Sequence, residues 1–336
     1  MCTGLEQKCR QLVAELGLGA AEDVTEIRPL TGGVASDIAR VHLHGRDICA
    51  KFALSRLKVA EDWQAPVHRN AAEYSWLAVA ADLFPDSGVK LFGRSEAQHG
   101  FAMEYLSGDD VYLWKSALLA EEPDRGEARA VGDMLGRIHA ASARPGFDTA
   151  PFHNRDDFLA LRIEPYLTFT AGRHRDLPAI TSLADLLYGS AQVLVHGDVS
   201  PKNIVFRGGA PILLDAECAT MGDASFDPAF CLNHLVLKAI HLPASRGRYL
   251  RCVMDFWHAY APHVSWEAQA ELEARICRLV PALMLARVDG KSPVEYLGDS
   301  EQVTVRQISV QLIREPAETL ETLVSRLDSN LKEMNA

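Results

Sequence analysis

Several things this chain lacks narrow its class at once. No uninterrupted apolar run in its 336 residues reaches the roughly 20 that a helix needs to cross a bilayer, so no membrane partner is expected. The opening residues, MCTGLEQKCR, are polar where a secretory signal is apolar, and the expected location is the cytoplasm. Positive charge is in short supply: 34 Lys and Arg against 45 Asp and Glu give a formal charge of −11. Nucleic acid needs clustered Lys and Arg on its phosphates and is set aside as a main partner. The acidic balance suits a cationic substrate without requiring one, because acidic surfaces commonly serve solubility. The 7 cysteines are scattered, with no Cys-x-x-Cys pair and no histidine at zinc spacing, and read as reduced, mostly buried thiols. No repeat or low-complexity tract is present. What remains, 48% hydrophobic and 24% charged, is an ordinary globular composition with length enough for two lobes.

Within it, one stretch concentrates chemistry: Gln192 to Phe230, QVLVHGDVSPKNIVFRGGAPILLDAECATMGDASFDPAF. An apolar run ends in His196-Gly197-Asp198, Asn203 follows, and two β-type runs flank Gly208-Gly209 and deliver Asp215 and Glu217. Carboxylates and an amide at strand ends suit metal-assisted phosphoryl transfer. One carboxylate orients or deprotonates an attacking hydroxyl; an amide and a second carboxylate hold the Mg²⁺ that neutralises nucleotide phosphates. A hard cation asks for oxygen ligands, hence Asn and Asp rather than His or Cys. The hairpin makes a geometric demand. A two-residue Gly208-Gly209 loop places Asn203 opposite Leu214, whereas a three-residue loop with a bulge places it opposite Asp215. The metal reading therefore needs the longer loop, or a strand that breaks at its end.

This ordered set resembles the catalytic and metal segments of the aminoglycoside phosphotransferase and choline kinase superfamily, whose fold is protein-kinase-like. The resemblance implies Asp198 as catalytic base and Asn203 and Asp215 as Mg²⁺ ligands. Glu217 completes an Asp-x-Glu variant similar to that of methylthioribose kinases, which adds it to the metal set. Lys202, four residues after Asp198, is a candidate to neutralise the transferred phosphate. Asp227 before Pro228 reads as a helix N-cap, and the superfamily has a matching aspartate that braces the catalytic loop.

Toward the N-terminus, a helix over Leu5 to Leu16 precedes strands at Val24 to Leu30, Ile38 to Leu43 and Asp47 to Phe52. Gly32, Gly33 and the Ser36 hydroxyl lie between the first two strands, where exposed amides can cap phosphates. Lys51 stands inside Ile48-Cys49-Ala50-Lys51-Phe52, where an uncompensated ammonium is costly and wants an anion. By the resemblance it holds the nucleotide α- and β-phosphates and pairs with Glu73, on a helix expected over Pro66 to Leu83. Strands at Val89 to Phe92 and Phe101 to Tyr105 lead to a segment that resembles the inter-lobe hinge, where Glu104 and Leu106 read adenine through the main chain.

Helices dominate afterwards: Glu127 to Ala141, Asp157 to Thr170, Leu177 to Gly189, Trp266 to Val288 with Pro281 inside, and two closing ones. His139 reads as a core histidine. Arg287 and Lys291 either hold an anionic or polyhydroxylated substrate or pair locally with Asp289 and Glu295, the local pairing being favoured. The expectation is an α+β, protein-kinase-like two-lobe fold, with residues 1–106 as the nucleotide-binding lobe and 107–336 as the catalytic lobe. It would use ATP and Mg²⁺ to phosphorylate a hydroxyl of a small polar metabolite, as a monomer or homodimer. An aminoglycoside-modifying phosphotransferase, whose site would be lined by carboxylates, and a pseudokinase scaffold are the alternatives.

Overall fold

The computed structural model describes residues 4–30, 36–55 and 66–333. They fall into two compact units: the described residues up to Val111 with Ala216–Cys218, and Tyr112–Asp215 with Ala219 onward. The first boundary lies beyond the expected residue 106, and three residues after Asp215 return to the first unit.

In the first unit, helix α1 (Gly4–Glu15) is followed by strands β1 (Val24–Leu30), β2 (Ser36–Leu43) and β3 (Arg46–Ala53), helix α2 (Arg69–Leu83), and strands β4 (Leu91–Ser95) and β5 (Gly100–Glu104). The strands form one antiparallel sheet in the order β1-β2-β3-β5-β4. The period-2 pattern of β2 sends Ala39, Val41 and Leu43 to one face, where they join Cys9, Leu12 and Val13 of α1 in the core. The β2–β3 turn has His44 and Gly45 at φ of 49° and 73°, a left-handed pair that suits a two-residue hairpin. Strand β4 starts later than expected, with a bulge between Leu91 and Gly93. Helix α2 buries Ala72, Glu73, Trp76, Leu77 and Ala80.

Strand β6 (Val111–Leu113) carries the chain across the boundary, and α3 (Trp114–Leu119), α4 (Glu127–Ser142) and α5 (Arg155–Phe158) follow in the second unit. From Leu159–Thr168 the chain is wound as a π-helix around Pro165, which has no N–H for an ordinary helical bond; α6 (Phe169–Arg173) and α7 (Pro178–Gly189) follow. Next come β7 (Val193–Val195), β8 (Ile204–Arg207), β9 (Ala210–Leu213) and β10 (Thr220–Gly222), then α8 (Phe226–His241), α9 (Arg246–Tyr260), α10 (Gln269–Asp289), α11 (Asp299–Arg314) and α12 (Leu320–Glu333). Helix α8 is buried on every face from Phe226 to Ile240, so it forms the centre of this unit. Helices α4 and α9 pack so closely that a Cβ on Gly132 would lie 2.3 Å from the Phe256 carbonyl oxygen. Tyr112 stacks on Phe206 at 5.5 Å and Trp114 meets the same ring edge-on, which anchors β8 and the residues it presents.

Candidate active site

Fully buried β7 delivers His196-Gly197-Asp198. Gly197 has φ 83°, a left-handed turn that a side chain would strain. The loop is held from below by Asp227, whose carboxylate accepts the backbone N–H groups of His196 at 2.6 Å and Gly197 at 2.9 Å. Asp227 lies inside the first turn of α8 rather than at its cap, which is Ser225, whose N–H and hydroxyl both donate to Asp223. His139 stands 3.5 Å from Asp227 and bonds Tyr260 at 2.8 Å, a core histidine that steadies the brace. Burial depresses the His196 pKa, and its Nδ1 accepts the Asp198 N–H at 3.1 Å, as a neutral ring requires.

Asp198 is 4% exposed. Its Oδ2 meets Arg162 Nη2 at 3.1 Å and Lys202 Nζ at 3.4 Å, while its Oδ1 is buried without a hydrogen-bond partner. Burial works against ionisation, but the charges of Lys202 and Arg162 outweigh it and hold the carboxyl well below the ordinary carboxylate range. A carboxylate held ionised in this way can accept and aim a hydroxyl. Arg162 also donates to the Gly197 carbonyl, so one guanidinium ties the Asp198 carboxylate to its own turn. Lys202 is half exposed.

The hairpin has the two-residue loop: Ile204 pairs Leu213 and Arg207 pairs Ala210, with Gly208 and Gly209 at positive φ. Leu214 N–H accordingly donates to the Asn203 carbonyl at 2.8 Å. The strand then breaks, with Asp215 left-handed at φ 69°. Of the two geometries that the metal reading allows, the chain therefore adopts the strand that breaks at its end. Asn203 Nδ2 donates to the Asp198 carbonyl at 3.1 Å, which leaves the amide oxygen as the donor for a cation. Among the described residues no three His, Cys, Asp or Glu side chains cluster. An amide and a half-buried carboxylate fit Mg²⁺, which keeps several waters and phosphate oxygens in its shell. Glu217, grouped with them in the sequence, belongs to the first unit, where its Oε2 accepts from the fully buried Arg69 at 2.8 Å.

In the first unit Lys51 and Glu73 form a buried ion pair at 2.7 Å, with side chains 4% and 2% exposed. Arg69 is fixed further by the carbonyls of Pro66 and Leu54 at 2.7 and 2.8 Å. Ser36 is buried at the start of β2, opposite Ala53. The Glu104 N–H is spent on the Lys90 carbonyl at 2.8 Å and is not available to an adenine edge. Leu106 has no backbone partner among the described residues. Gly32 and Gly33 lie outside the described residues.

Beside Asp198, within the second unit, is a pocket bounded by Ser200-Pro201-Lys202 and by Lys115, His234, Lys238 and Arg287. Arg287 is there, but the favoured local pairing is absent. It bonds the Tyr166 hydroxyl at 3.0 Å and Ser292 at 3.1 Å, while Asp289 is taken by His174 and Arg306 and Glu295 by Lys115. Lys291 is not among the lining residues; past the end of α10, it lies exposed with its ammonium over the Phe169 ring at 5.6 Å. Sequence reasoning missed Arg162, Arg69 and Lys238. Two of them carried the sign that singled out Lys51, a cation inside an apolar run: Leu161-Arg162-Ile163 and Leu237-Lys238-Ala239.

These features agree with comparisons to known proteins. The chain is 24% identical over 284 residues to the methylthioribose kinase of Yersinia pseudotuberculosis serotype O:1b (strain IP 31758), a match that takes in 74% of this chain and 66% of that protein, so the chain spans slightly less than two thirds of the relative's length. A choline/ethanolamine kinase family protein from Mesorhizobium loti superposes over 97% of this chain and 99% of its own, at 15% identity and a TM-score of 0.55. The ethanolamine kinase of Plasmodium vivax does so over 91% and 88%, at 12% identity and 0.57. The fold is therefore the α+β, protein-kinase-like one, with an antiparallel-sheet lobe and a helical lobe. The sequence profile of the phosphotransferase enzyme family matches residues 26–263, and with so much of its length inside that match the chain belongs to this family.

Proposed function

We propose that the protein transfers the γ-phosphoryl group of ATP to a hydroxyl of a small polar metabolite. Asp198 accepts and aims the hydroxyl, Lys51 braces the nucleotide phosphates, and Lys202 swings from Asp198 toward the phosphoryl group as charge builds on it. Asn203 and Asp215 hold Mg²⁺, which neutralises the nucleotide when bound. The observation that carries this reading is the ionised, buried Asp198, with an unpartnered oxygen waiting for a donor. The matching names of its relatives support the same chemistry. An aminoglycoside acceptor is disfavoured, because the adjacent pocket is lined by Lys115, Lys202, Lys238 and Arg287 against the single carboxylate of Glu295.

The test is acceptor-dependent ADP release with Mg·ATP over a panel of sugars, hydroxy acids and amino alcohols. Asp198→Asn should lower turnover of the active acceptor by at least about a thousandfold, since aim and charge both go, while nucleotide affinity changes by less than about threefold. Undiminished turnover in that variant would remove Asp198 from the mechanism.

A further inference from the structure

Four cations around one pocket are not equal once their partners are subtracted. Lys202 is set against Asp198 at 3.4 Å, and Lys115 against Glu295. Lys238 and Arg287 have no such counterweight. Lys238 is 1% exposed, in the fully buried α8, and among the described residues it has neither a hydrogen bond nor an ion pair; its ammonium lies over the Tyr296 ring at 5.2 Å. Arg287 is 8% exposed and bonds only hydroxyls through Nη1, its Nε being buried and unpartnered. The Tyr296 hydroxyl, in the same lining, is a third buried group without a partner.

Holding an unpaired ammonium in a protein interior is expensive, and polar atoms left unsatisfied add to the cost. Such an arrangement is stable in the resting chain only if offset elsewhere, and it becomes favourable when an anion arrives. A carboxylate or phosphate group offers what Lys238, Arg287 and Tyr296 all lack: acceptor oxygens, and negative charge for the two cations. His234, one turn before Lys238 and held neutral by burial, lines the same wall and adds a polar contact without charge. The other end of the pocket is Ser200-Pro201-Lys202, immediately after Asp198.

We infer that the phosphate acceptor is itself anionic, a hydroxylated compound whose carboxylate or phosphate group sits between Lys238 and Arg287 while its hydroxyl reaches Asp198. This deepens the kinase reading above and rests on it. The neutral and cationic acceptors named for the relatives would leave both cations unpaired.

Calorimetric titration of the full chain, without nucleotide, tests it with matched pairs: ribose 5-phosphate against ribose, glycerate against glycerol, and ethanolamine as the cation. At least one anion should bind about tenfold or more tightly than its neutral partner, and which pair shows the difference tells a phosphate from a carboxylate. Lys238→Met and, separately, Lys238→Gln should weaken that anion by about ten- to a hundredfold and leave the neutral compound alone, while Asp198→Asn should not weaken the anion. No anion preference in either pair, or unchanged anion affinity in both Lys238 variants, overturns the inference. Turnover of the same panel with Mg·ATP separates the two readings. Phosphorylation of ribose or ethanolamine in preference to the anions keeps the kinase and removes the anionic acceptor. Lys238-dependent anion binding with no turnover of any compound supports the anion site and removes the kinase.

Discussion

The buried lysine of α8 makes a prediction that needs no substrate. Burial, aided by the nearby charges of Lys115 and Arg287 and only partly relieved by Cys231 and Glu295, brings Lys238 from 10.5 down to about 7. A base whose pKa is lowered by folding destabilises the fold wherever it must be charged. Below about pH 7, Lys238 is protonated in both states and the whole penalty stands. The interval from 10.5 to about 7 corresponds to about 5 kcal/mol at about 1.4 kcal/mol per pH unit. Between those two values the unfolded chain holds a proton that the folded chain lacks, so stability rises with pH; above 10.5 the penalty is gone. Methionine matches the stem without the charge. Lys238→Met should therefore be more stable than the parent by about 3 to 5 kcal/mol at pH 6.5, a margin shrinking to about 1 kcal/mol at pH 9.5. Urea midpoints at a series of pH values would measure this, each set converted with its own slope. Two parallel pH profiles, or a variant less stable throughout, would refute the reasoning, because either would mean that Lys238 is not an unpaired buried cation.

Three further outcomes follow from the geometry. Lys51→Met takes the paired ammonium away from buried Glu73, and should cost about 3 to 5 kcal/mol in urea unfolding, with partial recovery in the Lys51→Met, Glu73→Met double variant. Asp227→Asn replaces one of the two oxygens that hold His196 and Gly197 by a donor. The expected loss is about 1 to 3 kcal/mol of stability, with turnover falling and nucleotide affinity retained, read by urea unfolding and nucleotide titration. Gly132→Ala drives a methyl into the Phe256 carbonyl, backbone against backbone, and should cost about 1 to 3 kcal/mol of thermal or urea stability unless α4 and α9 separate.

Much of this was legible in the sequence, for identifiable reasons. Helix α1 stops just before Gly17, and β2 and β3 meet at a hairpin turn, so the limits of α1 and of β1 to β3 fall within a residue or two of the expected ones. Lys51 was visible because a strand so apolar leaves an ammonium no exposed face. Lys238 and Arg162 have similar neighbours but were passed over, since a helix always offers the possibility of a solvent side; only packing shows that α8 has none. Arg287 and Lys291 looked like a pair one turn apart, yet α10 ends at Asp289 and the second residue departs on different backbone. The register of Gly208-Gly209 lay beyond sequence altogether, because both loop lengths satisfy the same residues; the pairing of Ile204 with Leu213 shows the shorter one. The partnership of Arg69 with Glu217 joins residues 148 positions apart, and no local pattern announces it.

Helix α8 carries at one end the carboxylate that seats the His196-Gly197-Asp198 turn and, eleven residues on, the ammonium proposed to meet the acceptor's tail. At about 1.5 Å per residue the two are about 16 Å apart along one stiff rod, rather than being set by separate loops. Reach is thereby built into the scaffold as a ruler. Selectivity for compounds of another length would have to change in steps of a helical turn, by moving the cation from Lys238 to the position of His234, and not by gradual adjustment of a flexible lip.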